Sequence, residues 1–319
     1  MSEKLFLTIL IPVYFAEKRL RAFVEQLSAQ FAGKQRNCEI LLVDDGSRDN
    51  SWQVIEELAK QYPGVVHGIR LSRNFGQHNA LMCGFHHARG DVIITMDDDG
   101  QHPPEEIPRL LETLEKTGAD VVYGVPQRKE HHWLRNLASA MVRAFFRWVF
   151  RLKVDPSPFR AIRRDIVQLI LPYDLSFVYL DGLLAWYTDR FAQVEVEHRP
   201  RLHGRSTYTL RKLITLAFNL FTNFAIGPLQ VVSLIGFAST VFGLILATYY
   251  LVMRLIGQIT VPGFATVAIL VLVMGGLQLL SLGLIGEYLG RVHLNVNRKP
   301  QFAVRAMTEP RSDGRNYHQ

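Results

Sequence analysis

Between Lys212 and Arg254 lie 41 consecutive residues without an Asp, Glu, Lys or Arg, and 32 more separate Arg254 from Glu287. About 20 apolar residues cross a bilayer core, so either run is long enough to span one. Such a chain is not wholly soluble, and the collagen-like, disordered and disulfide-stapled classes are excluded too. The spans are predicted near 229–253 and 263–286. At about 1.5 Å per residue the first is roughly 37 Å long, enough to cross with some tilt. The connector from Arg254 to Pro262 carries one charge, whereas Arg211, Lys212, Arg291, Arg298 and Lys299 flank the outer ends. That bias predicts both termini inside and the short loop outside. Gly275, Gly276, Gly283, Gly286 and Gly290 give the second span a small-residue face for helix packing, and Glu287 is expected to pair with an arginine such as Arg291. Residues after about 303 read as a disordered tail. The start, Met-Ser-Glu-Lys, runs straight into a strand-like segment, so no signal peptide is expected. Cys38 and Cys83 are expected to be free, buried thiols in a reducing compartment.

The first 125 residues follow another rule. Short apolar runs at Phe6–Val13, Glu39–Asp45, Val65–Leu71, Asp91–Asp99 and Asp120–Val125 alternate with helix-like stretches near 17–31, 50–61, 77–88 and 104–117. This alternation predicts βαβ units and an α/β fold with a mostly parallel sheet, helices on both faces. Ligands bind such sheets beyond the carboxyl ends of the strands. There stand Asp44-Asp45-Gly46-Ser47 after the second run and Asp97-Asp98-Asp99 in the fourth.

Neither a Gly-x-Gly-x-x-Gly nor a phosphate-loop Gly-x4-Gly-Lys-Ser/Thr follows the first strand, so the common dinucleotide and NTP folds do not apply. Carboxylates at i and i+2 leaving a strand point the same way, so Asp97 and Asp99 can converge on one divalent cation. Hard oxygen ligands suit Mg²⁺ or Mn²⁺, whose shell substrate phosphates and water complete. The plainer alternative is an acidic turn capping the helix after Pro103-Pro104. Asp44 and Asp45 at a neighbouring strand end favour the metal site.

The motifs Pro12-Val13-Tyr14, Val43-Asp44-Asp45-Gly46-Ser47, Arg73-Asn74-Phe75-Gly76-Gln77, Asp97-Asp98-Asp99-Gly100-Gln101-His102-Pro103-Pro104 and Gly286-Glu287-Tyr288-Leu289-Gly290-Arg291 together resemble the GT-A family 2 glycosyltransferases, in their polyprenyl-phosphate branch. The resemblance covers about residues 6–300. It implies a GT-A nucleotide-diphospho-sugar transferase domain over 1–207, an amphipathic interfacial helix over 208–227, two transmembrane helices within 228–290 and a cytoplasmic tail over 291–319.

Roles follow from the resemblance residue by residue. Pro12, Tyr14, Glu17 and Asp44, with Asp45 beside it, would hold the base and ribose of a nucleotide sugar. Asp97 and Asp99 would carry the metal on the diphosphate, with Gln101 next to the sugar or the acceptor phosphate. Arg128, Arg160 and Arg201 match phosphate-meeting arginines, a task their planar donor fork suits. Asp155 would orient the acceptor or act as a base. The chain also departs from the family pattern. Pro-Val-Tyr-Asn-Glu reads Pro12-Val13-Tyr14-Phe15-Ala16-Glu17, and a usual Gly is Pro158. In Arg201-Leu202-His203-Gly204-Arg205-Ser206-Thr207 the usual final Lys is Thr207, so Arg205, beside Ser206, would supply the charge at the substrate.

Residues 128–164 hold ten Lys or Arg against two acids, Glu130 and Asp155. Arg143, Arg147 and Arg151 recur at four-residue spacing, which gives a helix one basic face. Leu134, Leu137, Met141, Phe145 and Trp148 form an apolar face, as expected of a helix over 133–151 lying in a membrane interface. Nucleic acid is not expected as a partner, because no reading motif accompanies the charge.

The expectation is an inverting transferase that moves a sugar from a nucleotide diphosphate, UDP foremost, onto undecaprenyl or another polyprenyl phosphate at the cytoplasmic face of a bacterial inner membrane, for cell-envelope glycan or lipopolysaccharide modification. A homo-oligomer is left open. One rival is a processive polysaccharide synthase. Its Gln-x-x-Arg-Trp signature fails here, since Ala144 stands three residues before Arg147-Trp148. The other is a non-catalytic membrane scaffold, which the intact Asp44, Asp97, Asp99 and Gln101 argue against.

Overall fold

A computed structural model describes residues 5–31, 38–126, 154–199, 264–297 and 299–309, with parts of 234–256. The chain divides into two compact units, Met1–Thr207 with Lys299–Gln319, and Tyr208–Arg298.

The first unit is built on an eight-stranded sheet. Its strands are β1 (Leu7–Val13), β2 (Cys38–Asp44), β3 (Val66–Leu71), β4 (Val92–Thr95), β5 (Val121–Pro126), β6 (Arg160–Arg163), β7 (Phe191–Val196) and β8 (Val304–Met307), in the order β7-β5-β6-β4-β1-β2-β3-β8. β1 pairs parallel to both β2 and β4, β2 to β3, and β5 to β7. β6 runs antiparallel between β4 and β5, and β8 antiparallel along β3.

Strand β1 reads Leu-Thr-Ile-Leu-Ile-Pro-Val because both its faces are covered. Ile9 and Ile11 enter one core layer with α1 (Leu20–Phe31), α2 (Ser51–Gln61) and α4 (Ile107–Thr117), and Leu10 enters the other with α3 (Gln77–His87), α5 (Arg164–Ile170) and α6 (Leu180–Tyr187). In α4, Ile107, Leu110, Leu111 and Leu114 are buried, the one-face spacing of an amphipathic helix. Gly118 ends that helix in the left-handed conformation, φ 62°. Glu39, buried in β2, accepts hydrogen bonds from Thr8 Oγ1 and Arg89 Nε, each at 2.6 Å. That satisfies a charge otherwise costly to bury.

The five apolar runs become β1 to β5, and the expected parallel α/β sheet forms. The first part of the tail expected to be disordered is not. Residues 304–307 are strand β8, tied by Ser72 N–H to Ala303 O at 2.8 Å, Thr308 N–H to Gly68 O at 3.0 Å and Gly68 N–H to Thr308 Oγ1 at 2.9 Å. β3 would otherwise be an open edge, and β8 fills it. Cys38 and Cys83 are both free, and burial pushes both thiols up.

The second unit contains helix α7 (Phe264–Val296), 33 residues long, several of whose side chains lie outside the described set. Among the described residues no helix is long and apolar enough to cross a membrane. The expected helices over 133–151 and 208–227, and about half of the first span, lie outside the described residues.

Candidate active site

Val13 pairs with Asp44 across β1 and β2, and Leu10 with Thr95 across β1 and β4, so three parallel strands end at one edge of the sheet. Tyr14, Asp45 and Asp97 follow those ends. They meet in a pocket of about 210 Å³ that Pro12, Asn74, Gly76, Gln77 and Asp98 also line.

Asp44 is fully buried beneath this pocket and does not line it. Its Oδ1 accepts Ser47 N–H at 2.9 Å, and Oδ2 faces Arg70 Nε at 3.4 Å without a hydrogen bond. Burial holds its pKa above the usual carboxylate range against those partners. Asp45 is committed to the backbone. Its two oxygens accept Phe75 N–H at 2.7 Å and Gly76 N–H at 2.9 Å, and burial raises its pKa to about 6. Gly46 permits this approach, since a Cβ there would lie 2.4 Å from the carbonyl carbon of Arg73. Asp45 therefore shapes the 73–76 loop with both oxygens.

The three acids of the turn after β4 take different partners. Asp98 points to Arg19, whose Nη2 lies 2.9 and 3.0 Å from its two oxygens. Asp97 Oδ1 accepts Gln77 Nε2–H at 2.6 Å, and Asp99 Oδ1 accepts Gln101 N–H at 3.0 Å. Burial lifts Asp97 to about 6, with Asp99 and then Asp98 adding repulsion. A dication beside these oxygens relieves that repulsion, so the donor set fits a hard metal ion. Among the described residues no three His, Cys, Asp or Glu side chains are grouped to hold a metal alone.

Gln101 Nε2 lies 3.2 Å from His198 Nε2, and the His198 ring meets His102 at 5.1 Å. His102 stacks on Phe159 and is buried, which pushes its pKa down to about 4. Glu17 accepts Asn50 N–H at 3.2 Å and Nδ2–H at 2.9 Å. Asp155 N–H donates to Gln193 Oε1 at 3.1 Å.

Arg160, expected to meet a phosphate, does not line the pocket. It is 2% exposed, ion-paired with Asp181, and donates Nε–H to Thr95 Oγ1 at 3.1 Å beside the Tyr123 ring. Its charge is already matched inside the core. Arg128, Arg201, Arg205 and Ser206 lie outside the described residues. Sequence reasoning missed Arg19, which carries no motif signal, and gave Gln77 no role although it ends the Arg73–Gln77 run.

The model for glycosyl transferase family 2 matches residues 8–171, half of the chain and six of the eight strands of this sheet. The chain belongs to that family. It is 35% identical to the undecaprenyl-phosphate 4-deoxy-4-formamido-L-arabinose transferase of Proteus mirabilis strain HI4320 over 313 residues, covering 97% of this chain and 96% of that one. The transferase of the same name from Shewanella sediminis strain HAW-EB3 is 35% identical over 94% of this chain and 91% of its own. Among solved structures, glucosyl-3-phosphoglycerate synthase of Mycobacterium tuberculosis with Mn²⁺, UDP-glucose and phosphoglyceric acid superposes with a TM-score of 0.51. It is 17% identical, covers 68% of this chain and 78% of that chain, and shares the fold. This family 2 glycosyltransferase thus keeps full-length similarity to lipid-phosphate sugar transferases.

Proposed function

We propose that the chain moves a sugar from a nucleoside diphosphate, UDP by preference, onto undecaprenyl or another polyprenyl phosphate, with inversion. The observation that carries this reading is one pocket in which Pro12 and Tyr14 face Asp97 at the ends of adjacent strands. An apolar and aromatic wall suits a base and ribose, and a carboxylate lining the same pocket suits the diphosphate's cation. The full-length similarity to transferases named for undecaprenyl phosphate supports the acceptor class.

In this reading Asp97 and Asp99, with Gln101 beside them, hold Mg²⁺ or Mn²⁺, which would neutralise the departing diphosphate. Gln77 fixes Asp97, and Arg19 takes both oxygens of Asp98 at the pocket wall. The acceptor phosphate oxygen attacks the anomeric carbon, the bond from that carbon to the diphosphate oxygen breaks, and UDP leaves with its electron pair. An acceptor that is already an anion needs no strong base, so Asp155 serves to orient it. Arg128, Arg201, Arg205 and Ser206 are assigned to the phosphates, and Arg160 to the support beneath the acidic turn.

Two membrane spans, near 229–253 and 263–286, complete the reading. Leu279, 71% exposed, and Leu270, Leu282, Ile285 and Leu289 leave α7 with an open apolar surface that lipid would cover. The chain leaves the catalytic unit at Thr207 and rejoins the same sheet at β8, so any crossings between them are even in number. That parity supports two spans with both ends of the segment on the catalytic side, the cytoplasmic side by charge bias. Helices over 133–151 and 208–227 would lie in the interface.

Membranes from cells overexpressing the chain, given UDP-sugars, Mn²⁺ and undecaprenyl phosphate, are expected to yield a polyprenyl phosphate bearing one sugar, read by mass spectrometry. A long polymer would favour the processive synthase, and no turnover with any nucleotide sugar the scaffold.

A further inference from the structure

Among the described residues Phe15 is the one non-glycine with positive φ, at 51°, a conformation that aromatic residues rarely adopt. Three successive amides hold it there. Phe15 N–H donates to Ser47 Oγ at 3.1 Å, Ala16 N–H to Ser51 Oγ at 2.8 Å and Glu17 N–H to Asp49 Oδ2 at 3.4 Å. Arg19 closes the turn from the other side, its Nη1 donating to Phe15 O at 3.0 Å and its Nη2 to Tyr14 O at 3.4 Å.

The outcome runs against burial. Phe15 is 45% exposed and Tyr14 47%, and Tyr14, at the end of β1, lines the pocket. Their centroids stand 4.5 Å apart at 80°, so the two rings form a corner. Backbone strain sustained by redundant hydrogen bonds is kept where it serves a ligand. A half-exposed aromatic pair beside a pocket has one chemical use that the pocket supports: contact with a planar π-system.

We infer that Phe15 is a nucleobase-contacting residue of this site, its ring packing on the base of a nucleoside diphosphate while Tyr14 meets the base at the pocket wall. This rests on the nucleotide-sugar reading above and extends it to a residue outside the family pattern, which has Asn next to the tyrosine. Stacking is tolerant of base identity, so Phe15 strengthens binding more than it selects among bases.

Titration calorimetry of the full-length protein in detergent, with UDP and Mn²⁺, tests this alongside thermal melting. Phe15→Leu, which keeps the bulk and removes the π face, should weaken UDP about tenfold, and Phe15→Tyr should bind as wild type does. Phe15→Asn, tolerant of the left-handed turn, should melt higher than wild type yet bind UDP about tenfold more weakly. UMP should lose as much as UDP, because the contact is to the base. Leu and Asn variants that bind UDP like wild type would overturn the assignment, as would losses of affinity that only follow losses of melting temperature. Wild-type protein that binds no nucleoside diphosphate would overturn the nucleotide-sugar reading itself.

Discussion

Arg19 places one guanidinium nitrogen on both carboxylate oxygens of Asp98, at 2.9 and 3.0 Å, and its Nε on the Asp98 carbonyl at 3.2 Å. This joins the start of α1 to the acidic turn after β4. Asp98 is the middle residue of three acids; Arg19 takes its carboxylate, while Asp97 accepts from Gln77 and Asp99 from the Gln101 amide.

Arg19→Ala should strand a buried carboxylate, and burial already lifts the Asp98 pKa to about 6. The expected loss is about 1–3 kcal/mol of stability at pH 7.5, read by thermal or urea unfolding. Arg19→Ala with Asp98→Asn should recover most of it. A double variant as unstable as Arg19→Ala would show that the pair is not the cause.

Strands β1 to β5 and four of the helices are legible in the sequence because each carries its own period, as Ile107, Leu110, Leu111 and Leu114 do in α4. Strands β6, Arg160–Arg163, β7, Phe191–Val196, and β8, Val304–Met307, are not. β6 and β8 have four residues each, with charge inside or at the ends, β7 carries Glu195, and all three take their place by pairing along β3, β4 or β5. Of the site, Asp97 is legible from its place at a strand end, and Tyr14 through the family resemblance. The buried pairing of Arg160 with Asp181 is not, because 21 residues of sequence separate partners that only the fold brings together.

Arg160→Ala is expected to fail as a folding change before it fails as a binding change. Removing one partner of a buried ion pair costs about 3–5 kcal/mol. Tyr123 and Asp181 would lose their shared cation, since Tyr123 Oη–H also donates to Asp181 Oδ1 at 2.9 Å. A variant with normal melting and a selective loss of acceptor affinity would instead return Arg160 to the phosphate site.

His78 gives the pH signature. Burial pushes its pKa down to about 4, Asp181 acting against this and Arg160 with it, and its Nδ1 accepts Leu180 N–H at 3.4 Å. An unfolded histidine titrates near pH 6.5, so between about 6.5 and 4 the unfolded chain holds a proton that the folded one refuses. The unfolded state then binds more protons, and stability falls as pH is lowered through that window. His78→Asn lacks this titration. The melting temperature of wild type minus that of His78→Asn should therefore fall from pH 7 to pH 4.5. Asp45, Asp97 and Asp98 titrate in both proteins and cancel in the difference. A difference that stays flat would remove His78 from the account.

Deleting residues 304–319 should uncover the β3 edge and remove the Gly68–Thr308 hydrogen bonds and the His67–Glu309 pair at 3.3 Å. The expected result is a melting temperature several degrees lower, with aggregation through the open edge on size-exclusion chromatography. Unchanged melting would make β8 dispensable to the sheet.

Acceptor-dependent nucleotide release by wild type and Asp99→Asn, with Mn²⁺ and undecaprenyl phosphate, tests the central claim most directly. Wild type is expected to release UDP from a UDP-sugar only when both the cation and the lipid phosphate are present. Asp99→Asn should lose at least about a hundredfold in rate, as loss of a group that stabilises transition-state charge does, while its melting temperature stays within a few degrees. Full wild-type release in excess EDTA, or undiminished release by Asp99→Asn, would contradict that claim.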